Sequence, residues 1–84
     1  MNNYISIRVL QHDTCDQIRI GVATCLFEDQ LDKAVQDIVA QYEKETAWCG
    51  GLKAAFNKYY KRIAIVDAHT LEVLRDINPT RKEV

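Results

Sequence analysis

Little in this chain marks chemistry. Its three cysteines, Cys15, Cys25 and Cys49, form no CxxC pair. An odd, scattered set is neither a disulfide framework nor a zinc site, so reduced thiols in a cytoplasmic setting are expected. The two histidines, His12 and His69, have no recognisable catalytic context, and the three glycines make no phosphate-cradling loop. No apolar run approaches the roughly 20 residues of a membrane-crossing helix. Met1 to Tyr4 shows no basic stretch ahead of an apolar one, so no signal peptide is expected. Net charge is −1 and pI about 6.1, which gives no global pull toward nucleic acid or an anionic membrane.

What the chain does carry is enough apolar residue to fold. Hydrophobic residues make up 48% and charged residues 27%, which suits a soluble globule rather than a disordered segment. Its 84 residues are expected to form one domain, 1–84, with no repeat or linker. A chain this short buries somewhat over roughly 60% of its unfolded surface, leaving little room for a deep pocket.

Periodicity sets the order of elements. Ile5, Ile7 and Val9 alternate with Ser6 and Arg8, which predicts a strand over 4–10. His12-Asp13-Thr14-Cys15-Asp16 is polar and reads as a turn. Alternation resumes through Ile18, Ile20, Val22, Thr24 and Leu26, with Arg19, Gly21 and Ala23 opposite, completing a hairpin. The period then changes. Leu31, Ala34, Val35, Ile38, Val39, Tyr42 and Thr46 recur at helical steps, predicting an amphipathic helix of about five turns with Asp29 as N-cap. Trp48-Cys49-Gly50-Gly51 ends it, glycine serving as a left-handed cap. Leu52, Ala55, Phe56 and Tyr59 suggest a short second helix over 52–60, an extended segment being the alternative. Residues 62–77 hold two β-rich runs around a four-residue polar break, a closing hairpin. Asn78-Pro79 ends its last strand, and 79–84 reads as a loose tail. The expected fold is a small α+β domain, β-β-α-(α)-β-β, with an antiparallel sheet and one long helix on one face.

Four features are candidate sites. Trp48-Cys49-Gly50 resembles the start of a thioredoxin-type Trp-Cys-Gly-x-Cys motif, but position 52 is Leu rather than the second cysteine. The plainer expectation is Trp48 packed on the core and Cys49 filling a small space. His12, Asp13, Cys15 and Asp16 hold ligand-type atoms without a completing partner elsewhere, so the turn reading stands and no metal or cofactor is expected. Lys53, Lys58, Lys61 and Arg62 lie in a stretch without acids, interleaved with aromatics, and of these Tyr60 is the one expected to be free to stack. That is the layout of a small nucleic-acid site. Residues 28–45 carry Glu28, Asp29, Asp32, Asp37, Glu43 and Glu45 against Lys33 and Lys44, so 2 − 6 = −4. An acidic helix can dock on a basic protein surface, with Asp29, Asp32, Asp37, Glu43 and Glu45 as contacts.

Leu10, Cys25, Phe27, Ala64, Val66 and Leu74 lie off the first apolar stripe. One helix cannot cover two apolar faces, so the second is expected to serve as a partner surface or homodimer interface. The expected function is therefore that of a non-enzymatic protein-binding module. In size and charge layout the chain looks like accessory and inhibitor proteins of phages and mobile elements, anti-CRISPR and related anti-defence proteins among them. Nucleic-acid binding through 53–62 is the alternative, and no membrane partner is expected.

Overall fold

A computed structural model describes residues 3–56 and 58–77. The expected tail and its Asn78-Pro79 stop lie outside the described residues. Within them the fold is the expected α+β domain. Strands β1 (Tyr4–Asp13), β2 (Ile18–Ile20) and β3 (Thr24–Phe27) precede helix α1 (Leu31–Glu45), the single-turn helix α2 (Leu52–Ala55), β4 (Tyr60–Asp67) and β5 (Val73–Ile77). All named pairings are antiparallel. The order is β2-β1-β4-β5, with β3 also on β1. The first strand is thus central. It bonds β2 through Leu10–His12 and β3 through Tyr4–Ile7 on one side, and β4 on the other.

The second strand departs from the expected unbroken alternation. Leu10 pairs with Ile20 and Ile7 with Thr24, so Gly21, Val22 and Ala23 oppose only Arg8 and Val9. One extra residue makes a β-bulge, anchored by the Gly21 amide on the Val9 carbonyl at 2.9 Å. A one-residue insertion exchanges faces, because side chains alternate with period two. Thr24 and Leu26 therefore share the face of Ile5 and Ile7, whereas Ile18 and Ile20 share that of Leu10 and His12. Val22, on the bulge itself, is among the most exposed large apolar residues.

Helix α1 covers the face of Ile5, Ile7 and Val9. Ala34, Val35, Ile38, Val39 and Tyr42 pack on a core of Ile7, Leu31, Leu52, Phe56, Ile63, Ile65 and Ile77. The predicted stripe is thus the buried one. Burying a side chain of this size contributes roughly 1.5–3 kcal/mol.

Several boundaries moved for tertiary reasons. The first strand runs on to Asp13 because β2 and β4 both offer it partners there. The helix begins at Leu31, after a 3-10 turn over Glu28–Gln30, and Asp29 is not its cap. Glu28 donates its amide to the Asn3 carbonyl at 2.7 Å, keeping the chain on the sheet until then. Gln30 Oε1 accepts the Phe27 amide at 3.1 Å and tightens that turn. The helix ends at Glu45, and Gly50, at φ 106°, caps the 3-10 turn Ala47–Cys49 that follows. The second helix stops at Ala55, since Tyr60 already belongs to a strand.

Candidate functional site

The acidic residues of α1 do not form one surface. At about 100° per residue, Asp32 and Glu43 lie close on the helix circumference, with Asp37 and Glu45 well round from them. Each of the four is also engaged. Asp32 Oδ1 meets Arg75 Nε at 3.2 Å, and Asp37 Oδ2 meets Lys33 Nζ at 3.5 Å. Glu45 Oε2 accepts from Gln41 at 3.2 Å. Glu43 holds two helices together, because its Oε1 accepts the Leu52 amide at 3.1 Å and so caps the start of α2. Asp29 sits exposed in the preceding 3-10 turn.

The basic segment is acid-free only along the sequence. Lys61 Nζ lies 2.6 Å from Asp16 Oδ1. That contact, with His12 as a second contributor, holds the Asp16 carboxyl below the usual carboxylate range. Arg62 grips Asp76 with two bonds, at 2.9 and 3.1 Å, and its pKa is raised further by that carboxylate. Lys53 and Lys58 remain exposed on α2 and the following turn. The aromatic expectation is reversed. Tyr60 is half-buried, with its ring edge-on to Tyr42 at 5.7 Å and to Phe56 at 6.1 Å. Tyr59, expected in the core, is exposed. Tyr60 enters β4 with its ring against Tyr42, whereas Tyr59, in the turn before it, has its ring against Trp48.

Trp48 likewise stands in water, at 74% exposure, against the expected core position. Its ring centroid is 5.6 Å from that of Tyr59. Cys49 fits its expected place better: half-buried, its thiol donates to the Thr46 carbonyl at 3.2 Å. No group of three or more His, Cys, Asp or Glu able to hold a metal occurs among the described residues. The 12–16 segment is a closed turn, its Asp16 amide bonded to the Asp13 carbonyl at 2.9 Å. Asp67 caps the β4–β5 turn, accepting the His69 and Thr70 amides at 2.8 and 2.9 Å. Those two bonds, Thr70's foremost, hold its carboxyl below the usual range.

A polar chain absent from sequence reasoning crosses the covered face. Tyr42 donates to Gln11 Oε1 at 2.7 Å, and Gln11 Nε2 donates to Asp13 Oδ1 at 2.7 Å. Asp13 is buried, and its other oxygen lies 3.7 Å from Arg19 Nε. Burial pushes the Tyr42 hydroxyl up to about 12, with Tyr60 and nearby carboxylates adding to it. Gln11 sits at an apolar-face position of its strand, and that misfit was the available signal.

Among the described residues, no helix packs on the sheet face opposite α1. Register places Tyr4, Ser6, Arg8, Leu10 and His12 there, with Ile18, Ile20, Cys25, Phe27, Arg62, Ala64, Val66, Val73 and Asp76 on neighbouring strands. Tyr4, Ile18, Ile20, Phe27 and Val73 are exposed, by 65%, 58%, 42%, 43% and 40%. Tyr4 and Phe27 form a cross-strand aromatic pair at 5.0 Å. Ala64 and Val66, short side chains on an inner strand, are fully buried. Leu74 is the exception among the second-face residues. A register shift between Ile65 and Val66 opposite it accompanies its packing with the core. Of the two arginines on this face, Arg62 is held by the Asp76 carboxylate and Arg8 donates to the Gly21 carbonyl at 2.9 Å.

No helix among the described residues is long and apolar enough to cross a membrane. No family model, curated protein or solved structure matches this chain.

Proposed function

We propose that this domain is a non-enzymatic protein-binding module whose contact surface is the sheet face opposite α1. The observation that supports it most is the exposed set Tyr4, Ile18, Ile20, Phe27 and Val73 on one face of an otherwise well-packed sheet. Exposed apolar side chains with aromatic members, spread along one sheet face, are what a protein partner can cover. Arg62 is already paired with Asp76, so covering that part of the face strands no unpaired cation there. The same pairing disfavours nucleic-acid binding through 53–62. Lys61 and Arg62 would each have to leave a carboxylate to meet a phosphate. An accessory or inhibitor role in a phage or mobile element is the form of this reading that chain length and charge layout suggest.

The test compares two double variants in nuclease-treated pull-downs from host lysate. Ile20→Lys with Phe27→Lys alters the bare face, and Asp32→Lys with Asp37→Lys reverses acidic charge while sparing the Glu43 cap. Loss of a stoichiometric partner from the first variant alone is expected. Loss from the second alone would move the contact to the helix. Partners that vanish with nuclease would favour the basic segment.

A further inference from the structure

The lone tryptophan of this chain is held in water by its backbone. Thr46, buried, donates its hydroxyl to the Tyr42 carbonyl at 2.7 Å. The Thr46 carbonyl receives the Cys49 and Gly51 amides at 3.0 and 2.8 Å. Gly50 and Gly51, at φ 106° and 100°, close the turn in a conformation other residues rarely adopt. The turn that carries Trp48 is therefore set by α1 and two glycines. An indole left exposed forgoes the burial that a side chain of its size normally contributes.

Trp48 forms one wall of a notch of about 450 Å³ whose lining includes Tyr59, Tyr60, Asp13 and Arg19. The charge there is not even. The Asp13 carboxylate is buried, accepts from Gln11 at 2.7 Å on one oxygen and meets Arg19 on the other only at 3.7 Å. Glu45, the last residue of α1, is close enough to raise the Tyr60 hydroxyl, and a helix C-terminus carries partial negative charge. The Tyr60 hydroxyl reports the balance. Burial is the largest cause of its raised pKa, Glu45 and Asp13 follow, and Arg19 opposes them least. On the lining Arg19 and Asp13 offset each other, and Glu45 beyond it tips the surroundings toward a cation seated against aromatic walls.

We propose that the notch bounded by Trp48, Tyr59, Tyr60 and Asp13 binds a quaternary or methylated ammonium group. Methylation matters because a bare ammonium is strongly hydrated. A methylated one sheds water readily and gains from the faces of aromatic rings. This site lies on the helix-covered side and stands whether or not the bare face has a protein partner.

Trp48 is its own reporter, since no second indole competes. The full chain is titrated, following tryptophan emission, with choline, a trimethyl-lysine peptide, the uncharged tert-butyl analogue of choline, and AMP. Saturable change with either cation, and none with the uncharged analogue or AMP, is expected. Tyr59→Leu should weaken binding roughly tenfold, and Glu45→Gln by a smaller factor, with far-UV circular dichroism unchanged. Tighter binding of the peptide points to a modified protein tail as the source, and tighter binding of choline to a free small molecule. Equal response to the uncharged analogue, saturation by AMP alone, or no saturable response to either cation would overturn the proposal.

Discussion

The two faces of the sheet are built from the same strands and have different fates. On one, Ile5, Ile7, Val9, Leu26, Ile63, Ile65 and Ile77 lie with the apolar stripe of α1. On the other, Leu10, Ile18, Ile20, Phe27 and Val73 alternate with Ser6, Arg8, Arg62 and Asp76, under no helix among the described residues. The bulge at Gly21-Val22-Ala23 sharpens the contrast, because it turns Ile18 and Ile20 away from the core that Leu26 joins. An apolar residue is thus not evidence of burial by itself; the register of its strand decides which side it reaches.

Paired substitutions test that contrast most strongly. Ile65→Ala, at a position with no exposure, is expected to cost about 3 kcal/mol in urea unfolding. Ile18→Ala, on the open face, should cost under about 1 kcal/mol. Equal losses would mean that the open face is packed in solution, for instance against a second copy. Next in size is the Glu43 cap, which ties the end of the covered layer together. Glu43→Ala should cost about 1 kcal/mol, and Asp37→Ala, an exposed ion-pair partner, under about 0.5 kcal/mol.

A pH titration probes the covered face in a different way. The Tyr42 hydroxyl titrates near 12 when folded and near 10 when unfolded, so the unfolded chain loses its proton first. Stability from this group is whole below about pH 10 and falls as pH rises from there toward 12. Thermal melts through that window should show a drop that Tyr42→Phe flattens. The smallest change concerns the β4–β5 turn beside the sheet. Leu71 has φ 63°, in the left-handed region that costs a non-glycine residue about 1 kcal/mol. Leu71→Asn should raise stability by roughly 0.5 kcal/mol, and an unchanged melting temperature would argue against strain there.

Much of this layout was legible before folding. The helical stripe from Leu31 to Tyr42 is the buried stripe, because a 3.6-residue period needs no knowledge of what it packs against. The two hairpins were equally local. Legibility failed where a residue's role depends on distant chain. Lys61 and Arg62 read as free cations because Asp16 and Asp76 are far along the sequence. Glu43 read as surface charge because the amide it caps lies nine positions on, past the glycines. Trp48 and Tyr60 exchanged expectations, because hydrophobicity indicates burial in general and not the direction set by a turn or a strand entry.

Composition and periodicity alone set the class of this protein: one α+β domain, two hairpins around a long amphipathic helix, with more apolar residues than one helix can cover. Those properties follow from side-chain spacing along a single segment. Tertiary structure alone decided which apolar residues stay in water, which charges are already paired, and where an aromatic notch opens beside a buried carboxylate. Strand register, a one-residue bulge and capping contacts join residues far apart in the chain, and no local pattern encodes that proximity.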